Sequence, residues 1–135
     1  MLNKPNGTGF GRVIKAFKCS MLGFSAAIKH ESAFRQELLL AAILLPVSFV
    51  VATTGVQLAL LIGVLIILLL AEIINSAIEA VVDRIGTEHH ELSGRAKDLG
   101  SSAVFLALAL CIIVWAGVIY DVYFANQTAT SFLTS

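Results

Sequence analysis

Glu72, Asn75, Glu79 and Asp83 recur at three- and four-residue spacing in an otherwise apolar stretch. At about 100° per residue on a helix they fall within about 80° of one another. They form a polar stripe that descends from membrane depth toward a charged segment. Ionisable side chains at such depth are costly and mark a site by default. Asn75 or Ser76 alone would serve to glue helices together. Two carboxylates on one face repel each other and make poor glue. On these residues alone, the stripe suits either an enzyme acting on a lipid headgroup or a subunit that passes protons or cations.

Other polar groups flank the stripe. Glu31 and Glu37 bracket the start of a long apolar run. The segment from Asp83 to Asp98 is dense in charge and carries Gly86 and Gly94. As a flexible loop facing the stripe, it would bind an anionic substrate through Arg95 and Lys97. His89, His90 and Glu91 match no zinc-ligand spacing. There is no P-loop and no protein-kinase signature set. Gly7-Thr-Gly-Phe-Gly11 precedes a helix but follows no strand, so it is no dinucleotide fingerprint.

The elements that must hold these residues are membrane spans. Of the 135 residues, 58% are hydrophobic and 13% charged, against about 45–50% and about 25% in soluble domains. Leu38 to Ala71 is 34 residues without a charge, and Ser101 to Tyr120 is another 20. A 34-residue helix would be about 51 Å long, against a hydrocarbon core of about 30 Å. The long run must therefore fold back, and Thr53-Thr54-Gly55-Val56-Gln57 supplies the turn. The expected architecture is an all-α membrane protein, a single membrane domain over 1–135. It has a surface helix at 8–29, spans at 33–52, 56–81 and 98–121, and a polar tail at 122–135. Pro46 should kink the first span, and Gly23 is a candidate break in the surface helix. That helix sets Phe10, Val13, Ile14, Phe17, Met21, Phe24 and Ile28 at helical spacing, with Arg12, Lys15 and Lys18 on other faces. This pattern suits a helix lying on a leaflet.

Lysine and arginine set the orientation. They cluster before the first span and in 83–97, and are absent from the 53–57 turn and the tail. The positive-inside rule places the N-terminus and 83–97 in the cytoplasm, and the turn and C-terminus outside. Trp115, Tyr120, Tyr123 and Phe124 then fall at the outer interface. A net charge of zero gives no field for nucleic acid. Cys19 and Cys111 should lie at different membrane positions and form no disulfide. No cleavable signal peptide is expected.

The stretch Ala71-Glu-Ile-Ile-Asn-Ser-Ala-Ile-Glu-Ala-Val-Val-Asp-Arg-Ile-Gly86 closely resembles the small bacterial membrane diacylglycerol kinase family. So do His90-Glu-Leu-Ser-Gly-Arg-Ala-Lys-Asp-Leu-Gly-Ser-Ser-Ala103, Glu31-Ser-Ala-Phe-Arg-Gln-Glu37 and Gly9-Phe-Gly-Arg-Val-Ile-Lys-Ala16. The resemblance spans roughly 8–120. It implies a bacterial inner-membrane homotrimer with active sites shared between subunits. Its reaction would move the γ-phosphoryl of ATP, with Mg²⁺, to the hydroxyl of diacylglycerol, giving phosphatidic acid.

The resemblance also implies roles. Glu72 matches the catalytic base, and Glu31 and Glu79 the metal-holding carboxylates. Asn75 matches a supporting residue. Arg12, Cys19, Glu31, Glu79, Glu88, His89, His90, Lys97 and Asp98 match nucleotide contacts, with Lys97 meeting the phosphates. Arg12, Ala33, Phe34, Arg35, Gln36, Glu37, Glu72 and Ser101 match positions near the lipid substrate. Cys19-Ser-Met-Leu-Gly23 departs from the pattern, where aromatic or basic residues are expected. Undecaprenol kinases carry the same constellation. The Ala-Phe-Arg-Gln-Glu and Glu-Leu-Ser-Gly-Arg-Ala-Lys-Asp segments favour diacylglycerol. The ion-pathway alternative predicts no need for Lys97 or ATP.

Overall fold

Every element among the described residues is helical. The computed structural model describes residues 9–86, 88 and 90–125. In chain order they form α1 (Phe10–His30), α2 (Ser32–Val51), α3 (Gly55–Ile85) and α4 (Glu91–Tyr120), closed by a π-helical turn at Asp121–Ala125. Gly9 opens α1 at φ 70°, a conformation that side-chain-bearing residues rarely adopt. Gly23 does not break α1, and Pro46 lies inside a continuous α2.

Among the described residues three helices are long and apolar enough to cross a membrane, and the chain is a multi-pass membrane protein. The 20 residues of α2 span about 30 Å, close to the hydrocarbon thickness. The 31 residues of α3 span about 46 Å and the 30 of α4 about 45 Å, so both project beyond it. The surplus lies mostly at their charged ends. The segment expected as a flexible loop, 83–97, is mostly helix: α3 runs to Ile85 and α4 begins at Glu91. An apolar run ends where charge begins, but backbone hydrogen bonding continues through the charged turns. His90 caps α4, its Nδ1 accepting a hydrogen bond from the Leu92 N–H at 3.2 Å.

The turn between α2 and α3 is held by a capping box. Thr54 Oγ1 accepts from the Gln57 N–H at 3.2 Å, and Gln57 Oε1 accepts from the Thr54 N–H at 3.2 Å. Gln57 Nε2 also donates to Asp121 Oδ2 at 2.7 Å, tying the turn to the far end of α4. At the other end of α2, only Glu31 separates it from α1. Arg35 Nη1 donates to the Ile28 carbonyl at 3.1 Å, satisfying one of the carbonyls that α1's last turn leaves open.

The core is a seam between α3 and α4, with α2 laid against α3 and α1 resting on α2. Buried α3 residues Leu61, Leu65, Leu68, Glu72, Asn75 and Val82 alternate four- and three-residue steps, with half-buried Glu79 completing the series. This is the spacing of a helix–helix packing seam. On α4 the buried line is Gly100, Ala107, Cys111, Trp115 and Val118. Trp115 therefore packs into the core with Leu61, Val64 and Leu65 rather than facing outward from the bundle. Tyr120 and Phe124 stack at 5.9 Å between centroids. Cys19 is exposed, Cys111 is buried, and both are free.

Candidate active site

The polar stripe lies in the packing seam itself. Apolar residues fill the seam from Leu61 to Leu68, two carboxylates and an amide occupy the equivalent positions from Glu72 to Glu79, and Val82 follows. Glu72 is only 4% exposed and Asn75 8%. A charge buried this far needs partners or a function. Glu31 at the start of α2, Glu37 one turn beyond Phe34, and Glu79 on α3 all stand within electrostatic reach of Glu72. Four carboxylates from two helices thus share one region.

Asn75 organises the lower half. Its Nδ2 donates to Glu79 Oε1 at 3.0 Å, which fixes the rotamer of that carboxylate. Its Oδ1 is buried with no hydrogen-bond partner among the described residues. The same holds for Glu37 Oε2 and Ser76 Oγ. Buried polar atoms of a native site are ordinarily satisfied, so these oxygens mark where a ligand, ion, water or neighbouring chain is expected to bind.

The cationic counterpart comes from α4. Lys97 Nζ ion-pairs with Asp83 Oδ1 across the α3–α4 seam, and Glu79 stands within its electrostatic reach. Lys97 is partly exposed, so its ammonium is accessible from water. Because α4 begins at Glu91, Lys97 sits on a helix turn and its position is fixed by backbone hydrogen bonds rather than by a loop. Asp98 is exposed one residue on, and Ser101 is exposed a turn below it.

Among the residues singled out from sequence, the fold brings together Glu31, Glu37, Glu72, Asn75, Glu79 and Lys97. Phe34 is 1% exposed and belongs to the interior, whereas Ala33, Arg35 and Gln36 are exposed around it. Arg12 and Cys19 lie on the exposed surface of α1, which packs chiefly on α2. Glu88 and His90 are exposed beyond the end of α3, next to Gly86, and help line an open cavity of about 680 Å³. His89 lies outside the described residues, as does most of the 122–135 tail. Sequence reasoning did not pair Asp83 with Lys97. The pair depends on how α3 and α4 are set against each other along their axes, which the sequence pattern of either helix does not carry.

Among the described residues, no three His, Cys, Asp or Glu side chains could hold a metal ion by themselves. Magnesium commonly takes one or two carboxylates and fills its remaining positions with phosphate oxygens and water. Glu79 and Glu31, each within electrostatic reach of Glu72, are carboxylates of the type that could contribute to such a site.

Comparison with known proteins identifies the family. The family model described as prokaryotic diacylglycerol kinase matches residues 18–119. The diacylglycerol kinase of Haemophilus influenzae is 48% identical over 113 residues, covering 84% of this chain and 96% of that protein. That of Escherichia coli strain K12 is 47% identical over 110 residues, covering 82% and 90%. That of Pseudomonas aeruginosa is 45% identical over 112 residues, covering 83% and 91%. Seam, carboxylates and lysine all fall within the matched range, and the chain belongs to the prokaryotic diacylglycerol kinase family.

Proposed function

We propose that this protein is a lipid kinase that transfers the γ-phosphoryl of MgATP to the hydroxyl of diacylglycerol, giving phosphatidic acid and ADP. The observation that carries the reading is the order of groups along one seam. A buried carboxylate, Glu72, lies deepest; an aimed carboxylate, Glu79, follows; an accessible ammonium, Lys97, stands at the water-facing end. An amphiphilic alcohol reaches such a seam from the bilayer and a nucleotide reaches it from water. The names of the relatives supply the substrate class.

Phosphoryl transfer requires positioning, neutralisation of the phosphate charge and removal of the nucleophile's proton. Glu72 accepts the proton of the alcohol as its oxygen attacks the γ-phosphorus. Glu79 and Glu31 are the residues that would hold Mg²⁺, which would supply charge neutralisation for the triphosphate. Lys97 leaves Asp83 for the phosphates, and Asn75 keeps Glu79 in its rotamer. Glu88, His90 and Asp98 border the nucleotide, and Ala33–Glu37 and Ser101 border the lipid.

The lysine and arginine distribution supports a bacterial inner-membrane protein with the N-terminus and this seam's charged end in the cytoplasm. A homotrimer with shared sites is part of the same reading. One chain leaves large apolar side chains exposed along all of its spans, and Arg12 on α1 is exposed and forms no ion pair among the described residues.

The test is γ-phosphate label transfer by detergent-purified protein, with diacylglycerol and undecaprenol offered side by side, with and without Mg²⁺. Label in phosphatidic acid, dependent on Mg²⁺, is the expected result. Label only in undecaprenyl phosphate would replace the substrate. No label in either lipid from folded protein would return the stripe to an ion pathway.

A further inference from the structure

Asn75 is a large amide in a position where α3 meets α4, and the residue opposite it is Gly100. Gly100 is buried. A Cβ built on it would overlap Asn75 Oδ1, and would stand 3.4 Å from Asn75 Cγ and 3.7 Å from Asn75 Cα. No other glycine in α1, α3 or α4 has any heavy atom within 4 Å of such a Cβ. The restriction therefore comes from one side chain, whose amide would have to turn to admit a Cβ, and not from general crowding of the helices. Its φ is ordinary, so backbone freedom is not the reason either.

The contact has a consequence along the seam. With Oδ1 seated against the α4 backbone at Gly100, the amide has one direction left for Nδ2, and that direction is Glu79 Oε1 at 3.0 Å. Small residues let membrane helices approach closely, and here the close approach sets a rotamer. We infer that Gly100 is a positioning residue for phosphoryl transfer: its missing side chain seats Asn75, and Asn75 in turn aims Glu79. The inference rests on the proposed role of Glu79 in holding the metal of MgATP.

The experiment is a double-mutant cycle in the full-length protein, with Gly100→Ala, Asn75→Ala and the double variant. Turnover, the Mg²⁺ concentration giving half-maximal rate, the KM for lipid and the thermal midpoint in detergent are read for each. Alanine is the better helix former, so a merely propensity-driven effect would favour the variant. Gly100→Ala is expected to raise the Mg²⁺ requirement about tenfold, as loss of a partner that orients a metal ligand does. The KM for lipid should stay unchanged. In the double variant the Cβ has space, so Gly100→Ala should add no further loss to Asn75→Ala.

Independent, multiplying losses in the cycle would overturn the inference, and so would an unchanged Gly100→Ala enzyme. If Gly100→Ala fails to fold, the double variant decides: recovery of the fold supports the seating of Asn75, and continued failure refutes it. Glu79→Gln is the control for the underlying reading. An unchanged Mg²⁺ requirement in Glu79→Gln removes Glu79 from the metal. The cycle on turnover would still test whether Gly100 acts through Asn75.

Discussion

Replacing Glu72 by Gln separates chemistry from packing, because the two effects have opposite signs in this seam. The side chain is 4% exposed and stands among Glu31, Glu37 and Glu79. Gln has the same length and volume, so no cavity forms. It also removes one of four like charges, which relieves repulsion. Stability should therefore hold or rise. Catalysis moves the other way, since an amide cannot take the proton of the attacking alcohol. A positioned base contributes about 10²–10⁴-fold, or about 2.7–5.5 kcal/mol of barrier. The expected result is a turnover lowered by that factor, with the KM for ATP and the Mg²⁺ requirement near those of the parent and a thermal midpoint no lower. The assay is label transfer from γ-labelled ATP into phosphatidic acid, paired with thermal unfolding in the same detergent. A variant retaining most of its turnover would refute the base assignment. A midpoint falling in step with activity would refute it too, by showing that the carboxylate holds the bundle together.

Three further outcomes test other parts of the reading. Asp83→Asn frees Lys97 from its ion pair and removes a negative charge beside the incoming phosphates. Both changes act in one direction, so the KM for ATP should fall, by about fivefold at most because exposed pairs are weak; a raised KM would mean that Asp83 holds Lys97 in place. Inactive Arg12→Ala and Glu72→Gln subunits, coexpressed, should regain activity in mixed trimers if α1 serves a neighbour's site; no recovery at any ratio would favour self-contained sites. Thr54→Ala breaks the capping box at the opposite end of α3 and should cost about 1 kcal/mol of stability; measured turnover at low temperature should be unaffected, and a fall would couple the turn to the carboxylates.

Much of this organisation was legible before the helices were placed. Uncharged run lengths gave the number of crossings. The 72-75-79-83 spacing gave a single polar face. The ends were not legible, because hydropathy reports where apolar side chains stop and not where backbone hydrogen bonds stop. Hence α3 extends past 81 to Ile85, and α4 starts at Glu91 instead of 98. His90 is an uncommon cap, and Gly94 reads as a breaker though it sits within the first turns of α4. The Thr54–Gln57 capping box was present in the sequence as a Thr-x-x-Gln pattern, and the turn reading used only its polarity. Trp115 was read as interfacial from its type, which does not give the direction it faces; its register with Cys111 and Val118 puts it on the buried line. Pairs between helices, such as Asn75 with Gly100 and Asp83 with Lys97, depend on axial register, and no single-helix pattern encodes that.

The seam also explains why polar residues can sit at depth without tearing the bundle apart. In lipid, apolar helices gain little from burying apolar faces against each other, so association rests on close packing and interhelical polar contacts. Here the two jobs are divided along α3. From Leu61 to Leu68 the seam is apolar, and Leu61, Val64 and Leu65 pack with Cys111, Trp115 and Val118. From Glu72 to Asp83 it is mostly polar: one ion pair and one glycine-sized gap join it to α4, and one amide hydrogen bond runs along α3. Holding the α3–α4 register from the apolar half leaves the polar half free to keep buried oxygens unpaired. A site assembled this way is rigid where the bundle must be stable and unsatisfied where a substrate must bind. Changes in the apolar half should therefore register as stability, and changes below Glu72 as metal and substrate dependence.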